Sequence, residues 1–300
     1  MKRVLLTGAS GYIGRQAAPL LLERGYEVHC VSLHATDGGS GIPHQANLLK
    51  ARERKALIES VRPTHVLHFA WIATPGVYWT SPLNHDWRDA TLDLLSLCKE
   101  RGVERFLGAG TCAEYDWTDG HCDEERTPLA PETPYGKAKA ACGQAVIAAN
   151  GPMSTAWGRI FSPYGPHEYP QRLVPSIILS LLKNRSARCT HGRQLRDFLH
   201  VRDVASAFVA LLESGRTGAV NIASGTPVTI RRVVETIGAL LHAEHLLAFD
   251  AIPAPANDPP RLTAATKRLR EDVRWMPFFS LEEGLRQTVD WWREYPPRDP

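Results

Sequence analysis

The sequence predicts an α/β protein with a doubly wound parallel sheet and a smaller C-terminal region. Three observations carry this. A glycine-rich run, Thr7 to Gly14, separates a short apolar stretch from a stretch with helical periodicity. Short apolar stretches then alternate with helical ones as far as Phe161, the pattern of βα units joined into a parallel sheet. Beyond Phe161 the alternation loosens and prolines accumulate.

Lys2 to Leu6 reads as the first strand and Arg15 to Arg24 as the first helix, ended by Gly25. Glu27 to Val31 reads as the second strand, which completes the β-turn-α-β unit a glycine motif requires. Leu57 to Val61 closes a helix, and Thr64 to Ala70 is a buried strand. Asp89 to Arg101 reads as a helix stopped by Gly102, and Arg105 to Ala109 as a further strand. Pro134 to Ala149 is a helix and Thr155 to Phe161 a strand. Leu173 to Leu182 is helical, Phe198 to Leu212 is a helix or a strand followed by a helix, and Val228 to Leu241 is helical. Ile252 to Pro260 is a proline-rich loop, and Leu281 to Arg293 an amphipathic closing helix.

Composition narrows the field. The chain has 300 residues, 43% hydrophobic and 22% charged, which excludes a largely disordered protein. A formal charge of +3 with no basic stripe speaks against nucleic acid as a partner. The six cysteines lack C-x-x-C spacing and the twelve histidines lack ligand spacing, so neither a disulfide framework nor a bound metal is expected. No apolar run approaches the roughly 20 residues that span a bilayer. The first strand starts at the N-terminus and leaves no room for a signal peptide, which makes a reducing cytoplasm the expected location.

Two patterns carry chemistry. In Thr7-Gly8-Ala9-Ser10-Gly11-Tyr12-Ile13-Gly14 the glycines permit a tight turn, and the helix N-terminus behind them offers free amides to a pyrophosphate. Dinucleotide sites of this kind commonly hold the adenosine ribose with a carboxylate at the end of the second strand. Here that position reads Ser32-Leu33-His34, and the next carboxylate is Asp37 in a glycine-rich loop. Without repulsion at a 2′-phosphate, and with Arg15 and His34 as available cations, NADP is favoured over NAD. The second pattern is Tyr135 and Lys139, four residues apart and one turn from each other on a helix. An ammonium beside a phenol lowers its pKa, and a drop of roughly 3 units, about 4 kcal/mol, brings tyrosine into the working range of a general acid/base.

Taken together the motifs resemble the extended short-chain dehydrogenase/reductase family, in the NAD-dependent epimerase/dehydratase branch that acts on nucleotide sugars. The matching stretches are Thr7 to Gly14, Gly110 to Tyr115 (GTCAEY), Tyr135 with Lys139, Arg159 to Pro166 (RIFSPYGP), Arg196 to Val201 with Asp203, and Asn221 to Gly225. They span almost the whole chain in the expected order. The resemblance implies a Rossmann-type dinucleotide-binding domain over residues 1–165, with 196–225 returning to it, and a substrate-binding region mainly over 166–300.

It also implies roles for individual residues. Thr111, which precedes Tyr135 by 24 residues, takes the position of the catalytic serine or threonine, hydrogen-bonding the reacting oxygen beside Tyr135 and Lys139. The cofactor falls to Gly8, Ser10, Gly11, Tyr12, Ile13, Gly14, Arg15, Ser32, His34, Asn47, Leu48, Phe69, Ala70 and Phe161, together with Tyr135 and Lys139. The substrate falls to Trp71, Thr74, Thr111, Glu114, Ser162, Arg196 and Arg261. Arg196 resembles an arginine that binds the nucleotide diphosphate, a task suited to a guanidinium fork. Relatives often place asparagine where Ser162 stands, and a second phosphate-binding arginine where Pro255 stands, so either Arg261 takes over that task or the diphosphate is held differently. Trp71, Thr74, Tyr78, Trp79 and Trp117 read equally as sugar contacts or as loop packing, and Trp291 and Trp292 as packing.

The expected activity is reduction of a keto-sugar nucleotide, a 4-keto-6-deoxyhexose, with NADP as cofactor and NAD as the alternative. A 4-epimerase holding NAD is the runner-up. Dehydratases of the family add an acid/base pair beside the threonine, often Asp-Glu, whereas Cys112-Ala113 stand here. A non-catalytic dinucleotide sensor would not be expected to keep Thr111, Tyr135 and Lys139 together. A homodimer is the family expectation.

Overall fold

A computed structural model describes residues 2–34, 39–149 and 151–297. Asp37 lies outside the described residues. Seven strands form one parallel sheet: β1 (Arg3–Thr7), β2 (Glu27–Ser32), β3 (Ile42–Gln45), β4 (His65–His68), β5 (Arg105–Thr111), β6 (Ser154–Ile160) and β7 (Gly218–Ile222). Their spatial order is β7-β6-β5-β4-β1-β2-β3. The order reverses beside β1, so a crevice opens at the carboxyl ends of β1 and β4, where ligands of such sheets bind.

Period-two alternation explains the two core layers. Leu5 points to one face with Val31, Val66, Leu94 and Phe106, while Val4 and Leu6 point to the other with Leu21, Phe208 and Val220. Both faces are covered by helices: α1 (Gly14–Glu23), α2 (Ala51–Val61), α3 (Leu83–Glu100), α4 (Pro134–Ile147) and, from later in the chain, α6 (Val201–Ser214). Hence the strands read as continuous apolar runs. A separate cluster, with Ile178, Val234, Leu285 and Trp292, joins α5 (Leu173–Leu182), α7 (Ile230–Leu241) and α8 (Leu281–Glu294).

The sequence reading misses β3, an edge strand whose Ile42 is exposed and whose Pro43 donates no backbone hydrogen bond. It also starts α3 six residues late: Pro82 precedes the first turn, where proline costs no internal hydrogen bond. Val228–Thr229 is a short strand, and α7 begins only at Ile230. That strand belongs to a four-stranded sheet with Leu195–Arg196, Arg261–Ala264 and His121–Cys122, while Ser162–Tyr164 pairs with Phe198–His200. Among the described residues no helix is long and apolar enough to cross a membrane, and no group of His, Cys, Asp or Glu is arranged to hold a metal.

Candidate active site

A cavity of about 790 Å³ runs along the carboxyl ends of β2, β1, β4, β5 and β6. At one end is the glycine turn. Gly8 has φ +68°, and a Cβ there would sit 2.8 Å from the backbone nitrogen of Ala70. A Cβ on Gly14 would sit 2.1 Å from the Gly8 carbonyl oxygen. Only glycine allows the turn to fold back this closely and start α1 directly behind it. The first turn of α1 has no acidic residue and no side-chain cap, so its positive end is free for an anion. Gly8, Ser10, Gly11, Tyr12, Ile13 and Gly14 all line the cavity, joined by Ser32, Asn47, Leu48, Phe69, Ala70 and Phe161. A backbone cradle of this kind, flanked by an apolar wall, fits the pyrophosphate and rings of a dinucleotide.

Two cations assigned to the cofactor do not line this cavity. The Arg15 guanidinium donates to the Ser10 carbonyl at 2.6 Å and lies 2.8 Å from His167 Nδ1. His34 is exposed, and its carbonyl accepts a bond from the Ser32 hydroxyl at 2.6 Å.

Thr111 ends β5, and Tyr135 lies in the first turn of α4, which Thr133 caps by accepting from Gly136 N at 3.1 Å. Thr111, Tyr135 and Lys139 all line the cavity. The electrostatics differ from the expectation that Lys139 depresses the Tyr135 pKa. Burial, reinforced by Tyr78, raises the Tyr135 phenol, and a hydrogen bond with Thr111 opposes the rise. The Lys139 ammonium points elsewhere: Nζ donates to the Ala109 carbonyl at 2.8 Å and lies 3.9 Å from the Trp71 ring centre. Burial pushes Lys139 down to about 8. The phenol therefore keeps its proton at neutral pH, wedged edge-on between Tyr78 (4.8 Å) and Trp79 (5.5 Å). Behind them His68 is held neutral, pushed down to about 3 by burial and by Lys139, and bonds Thr7 at 2.7 Å and Thr91 at 2.9 Å.

Three residues assigned to substrate are absent from the cavity wall. Glu114 is fully buried: its carboxylate accepts from Thr111 N (2.9 Å), Trp157 Nε1 (2.9 Å) and Arg159 Nε (2.7 Å). It fixes the end of β5 from behind, and full burial keeps its carboxylate away from the cavity. Thr74 is exposed, and its carbonyl closes the turn of the following loop by accepting from Val77 N and Tyr78 N, each at 3.1 Å. Arg261 is excluded by strand alternation. Arg196 registers with Leu262 and both line the cavity; Arg261 registers with Leu195, one residue out of phase. Arg261 instead donates to Thr263 Oγ1 at 3.1 Å.

Trp71, Ser162 and Arg196 do line the cavity, as do Tyr78, Trp79 and Trp117. Arg196 is paired with Asp258, which also accepts from Gln194 Nε2 at 2.9 Å. The sequence reading overlooked Glu168 and Arg172, which share the cavity wall, the Arg172 Nε lying 3.6 Å from Glu168. Burial raises the Glu168 carboxyl to about 8. Their i,i+4 spacing directly after the RIFSPYGP run was the available signal.

Comparison with known proteins accords with this architecture. The model of the NAD dependent epimerase/dehydratase family matches residues 4–223. A UDP-glucose 4-epimerase of Corynebacterium glutamicum is 27% identical over 302 residues, covering 92% of this chain and 91% of its own length. A human dTDP-D-glucose 4,6-dehydratase is 27% identical over 319 residues, covering 98% and 90%. The structure of UDP-glucose 4-epimerase from Thermus thermophilus in complex with NAD superposes with a TM-score of 0.85 at 27% identity, covering 97% of this chain and 99% of that one.

Proposed function

The chain belongs to the NAD-dependent epimerase/dehydratase family, whose enzymes act on nucleotide sugars, and on that premise we propose that it reduces the 4-keto group of a nucleotide-linked 6-deoxyhexose. The observation that carries this reading is the supply of proton-transfer groups around Thr111. Elimination needs a second acid/base beside the threonine. Here Cys112 follows, its thiol pushed up to about 12 by burial, and Glu114 is sealed behind the wall. Reduction needs one proton donor at the carbonyl oxygen, and Tyr135 is one.

The bound nicotinamide dinucleotide would supply hydride to the carbonyl carbon. Tyr135 protonates the oxygen, and the Thr111 hydroxyl holds that oxygen within reach. Lys139, an ammonium whose Nζ is held by the Ala109 carbonyl, would supply positive charge one helical turn from the phenolate that remains. Arg196, oriented by Asp258, binds the diphosphate. NADPH is the preferred donor in this reading, because Ser32 and Leu33 border the cavity where a ribose-binding carboxylate would stand. A homodimer and a cytoplasmic location accompany it and are open to sedimentation and fractionation.

The 4-epimerase reading has one specific observation in its favour, the likeness to named 4-epimerases. A panel of 4-keto-6-deoxyhexoses linked to dTDP, UDP, CDP and GDP, assayed with NADPH and NADH, tests the reductase. Tyr135→Phe should cost about 100-fold or more in turnover while cofactor affinity is kept. A wild-type protein inert on the whole panel would sink the reading.

A further inference from the structure

We propose that Trp71 is a positioning residue that holds the Lys139 ammonium in place, and that buried Asn84 couples this support to the aromatic wall around Tyr135. The inference rests on Tyr135 and Lys139 being the proton-transfer pair. Trp71 follows β4 and lines the cavity with its partner Trp87. The Lys139 Nζ stands 3.9 Å from the centre of its ring, well inside cation–π range. Among the described residues the ammonium has one conventional acceptor, the Ala109 carbonyl at 2.8 Å. The Trp71 face is the nearer of two indole faces beside a cation that is almost wholly buried, the Trp157 ring centre lying 5.8 Å from Nζ.

The ring is itself held. Its Nε1–H donates to Asn84 Oδ1 at 2.9 Å, and it stacks on Trp87 at 6.2 Å. Asn84 is fully buried, and its amide nitrogen donates to the carbonyls of Tyr78 (2.7 Å) and Ser81 (2.9 Å). Tyr78 lies edge-on to Tyr135 at 4.8 Å, and the Trp79 carbonyl accepts from Tyr135 N at 3.2 Å. One asparagine therefore fixes both the surface under the lysine and the wall beside the tyrosine. A tryptophan that served only as a sugar platform would not need its ring edge anchored to the backbone around Tyr78.

The sign of the effect follows. An aromatic face stabilises ammonium over neutral amine, whereas burial does the reverse. The titratable groups facing Lys139 are His68 on β4, Glu114 after β5 and Cys142 one turn along α4. None of them changes if the ring is replaced by an alkyl chain. Trp71→Leu should then shift the loss of the ammonium to lower pH by about one unit.

The test has two arms. With a keto-sugar that the wild type reduces, Trp71→Leu should lower kcat at least about 10-fold with KM within about twofold, and move the alkaline limb of the kcat profile down by about one unit. Trp71→Phe, which keeps a smaller face, should recover most of kcat and shift the limb by less. In a Lys139→Met background Trp71→Leu should cost nothing further. The second arm needs no substrate. A buried lysine that titrates near 8 makes the ligand-free fold gain stability as pH rises from there toward the ordinary lysine range, because the unfolded chain still holds the proton. Taken as the Tm difference from Lys139→Met, that gain should begin about one unit lower in Trp71→Leu, and between the two in Trp71→Phe. A raised KM with unchanged kcat and limb, or equal losses with and without Lys139, would overturn the proposal. If Trp71→Leu does not fold, a Trp71→Phe limb and Tm profile indistinguishable from wild type overturn it as well. A wild type that reduces none of the panel defeats the reductase reading alone, since the unfolding arm still decides the role of Trp71.

Discussion

The two ends of the cavity are built on opposite plans. The dinucleotide end is backbone: one turn between β1 and α1, eight consecutive residues from Thr7 to Gly14, closed on itself so tightly that a Cβ at Gly14 has no space. The end proposed for the substrate is made of side chains. Arg196, Asp258, Glu168 and Arg172 arrive from three separate segments and stand in two side-chain pairs, Arg196 with Asp258 and Arg172 beside Glu168. A backbone cradle tolerates no side chain but needs few partners. A side-chain end tolerates single changes but depends on register and pairing across the chain. Specificity for a shared cofactor suits the first plan, and specificity for a variable substrate suits the second.

The contrast can be broken by mutation. Gly14→Val forces a Cβ toward a carbonyl 2.1 Å away. Overpacking on that scale costs about 3 kcal/mol or more, so NADPH affinity, followed by fluorescence, should fall by about 100-fold or the protein should fail to fold by circular dichroism. Wild-type affinity would mean the turn is not the cradle. Arg196→Met should act more gently and only on the substrate: KM rises about 10- to 100-fold, as expected for lost charge-assisted hydrogen bonds, and kcat stays within a few-fold. An unchanged KM would remove Arg196 from the diphosphate site.

Glu168→Gln reads out in stability alone. The Glu168 carboxyl is raised to about 8 in the fold, against about 4.3 in the unfolded chain. The folded state therefore holds a proton that the unfolded state has released, and the wild type loses stability as pH rises from about 4.3 through about 8. In Glu168→Gln that part of the fall in Tm should disappear, and parallel Tm curves for the two proteins would show that Glu168 is ionised throughout.

The same contrast decides how much was legible beforehand. The glycine turn is read from adjacent residues, and the sheet from its apolar alternation, so both were apparent. The spacing of Tyr135 and Lys139 was apparent too, but its electrostatics were not. Burial sets them, and the groups around the ammonium, Ala109 on β5 and Trp71 in the loop after β4, are distant from Lys139 in sequence. Glu114 sits in a motif next to Thr111 and reads as a site residue until Arg159, 45 residues later, claims its carboxylate. Arg261 reads as a second phosphate ligand until the strand register turns it away. Edge strand β3 escaped because it lacks the apolar run that marks its neighbours.

The central claim is that Tyr135 completes a net reduction instead of a reversible one. Its most direct measurement is the stoichiometry of turnover on a nucleotide-linked 4-keto-6-deoxyhexose. The account predicts one NADPH oxidised for each keto-sugar consumed, with one 4-hydroxy epimer formed. Conversion of one 4-hydroxy sugar nucleotide into its epimer with no net change in the cofactor would contradict it.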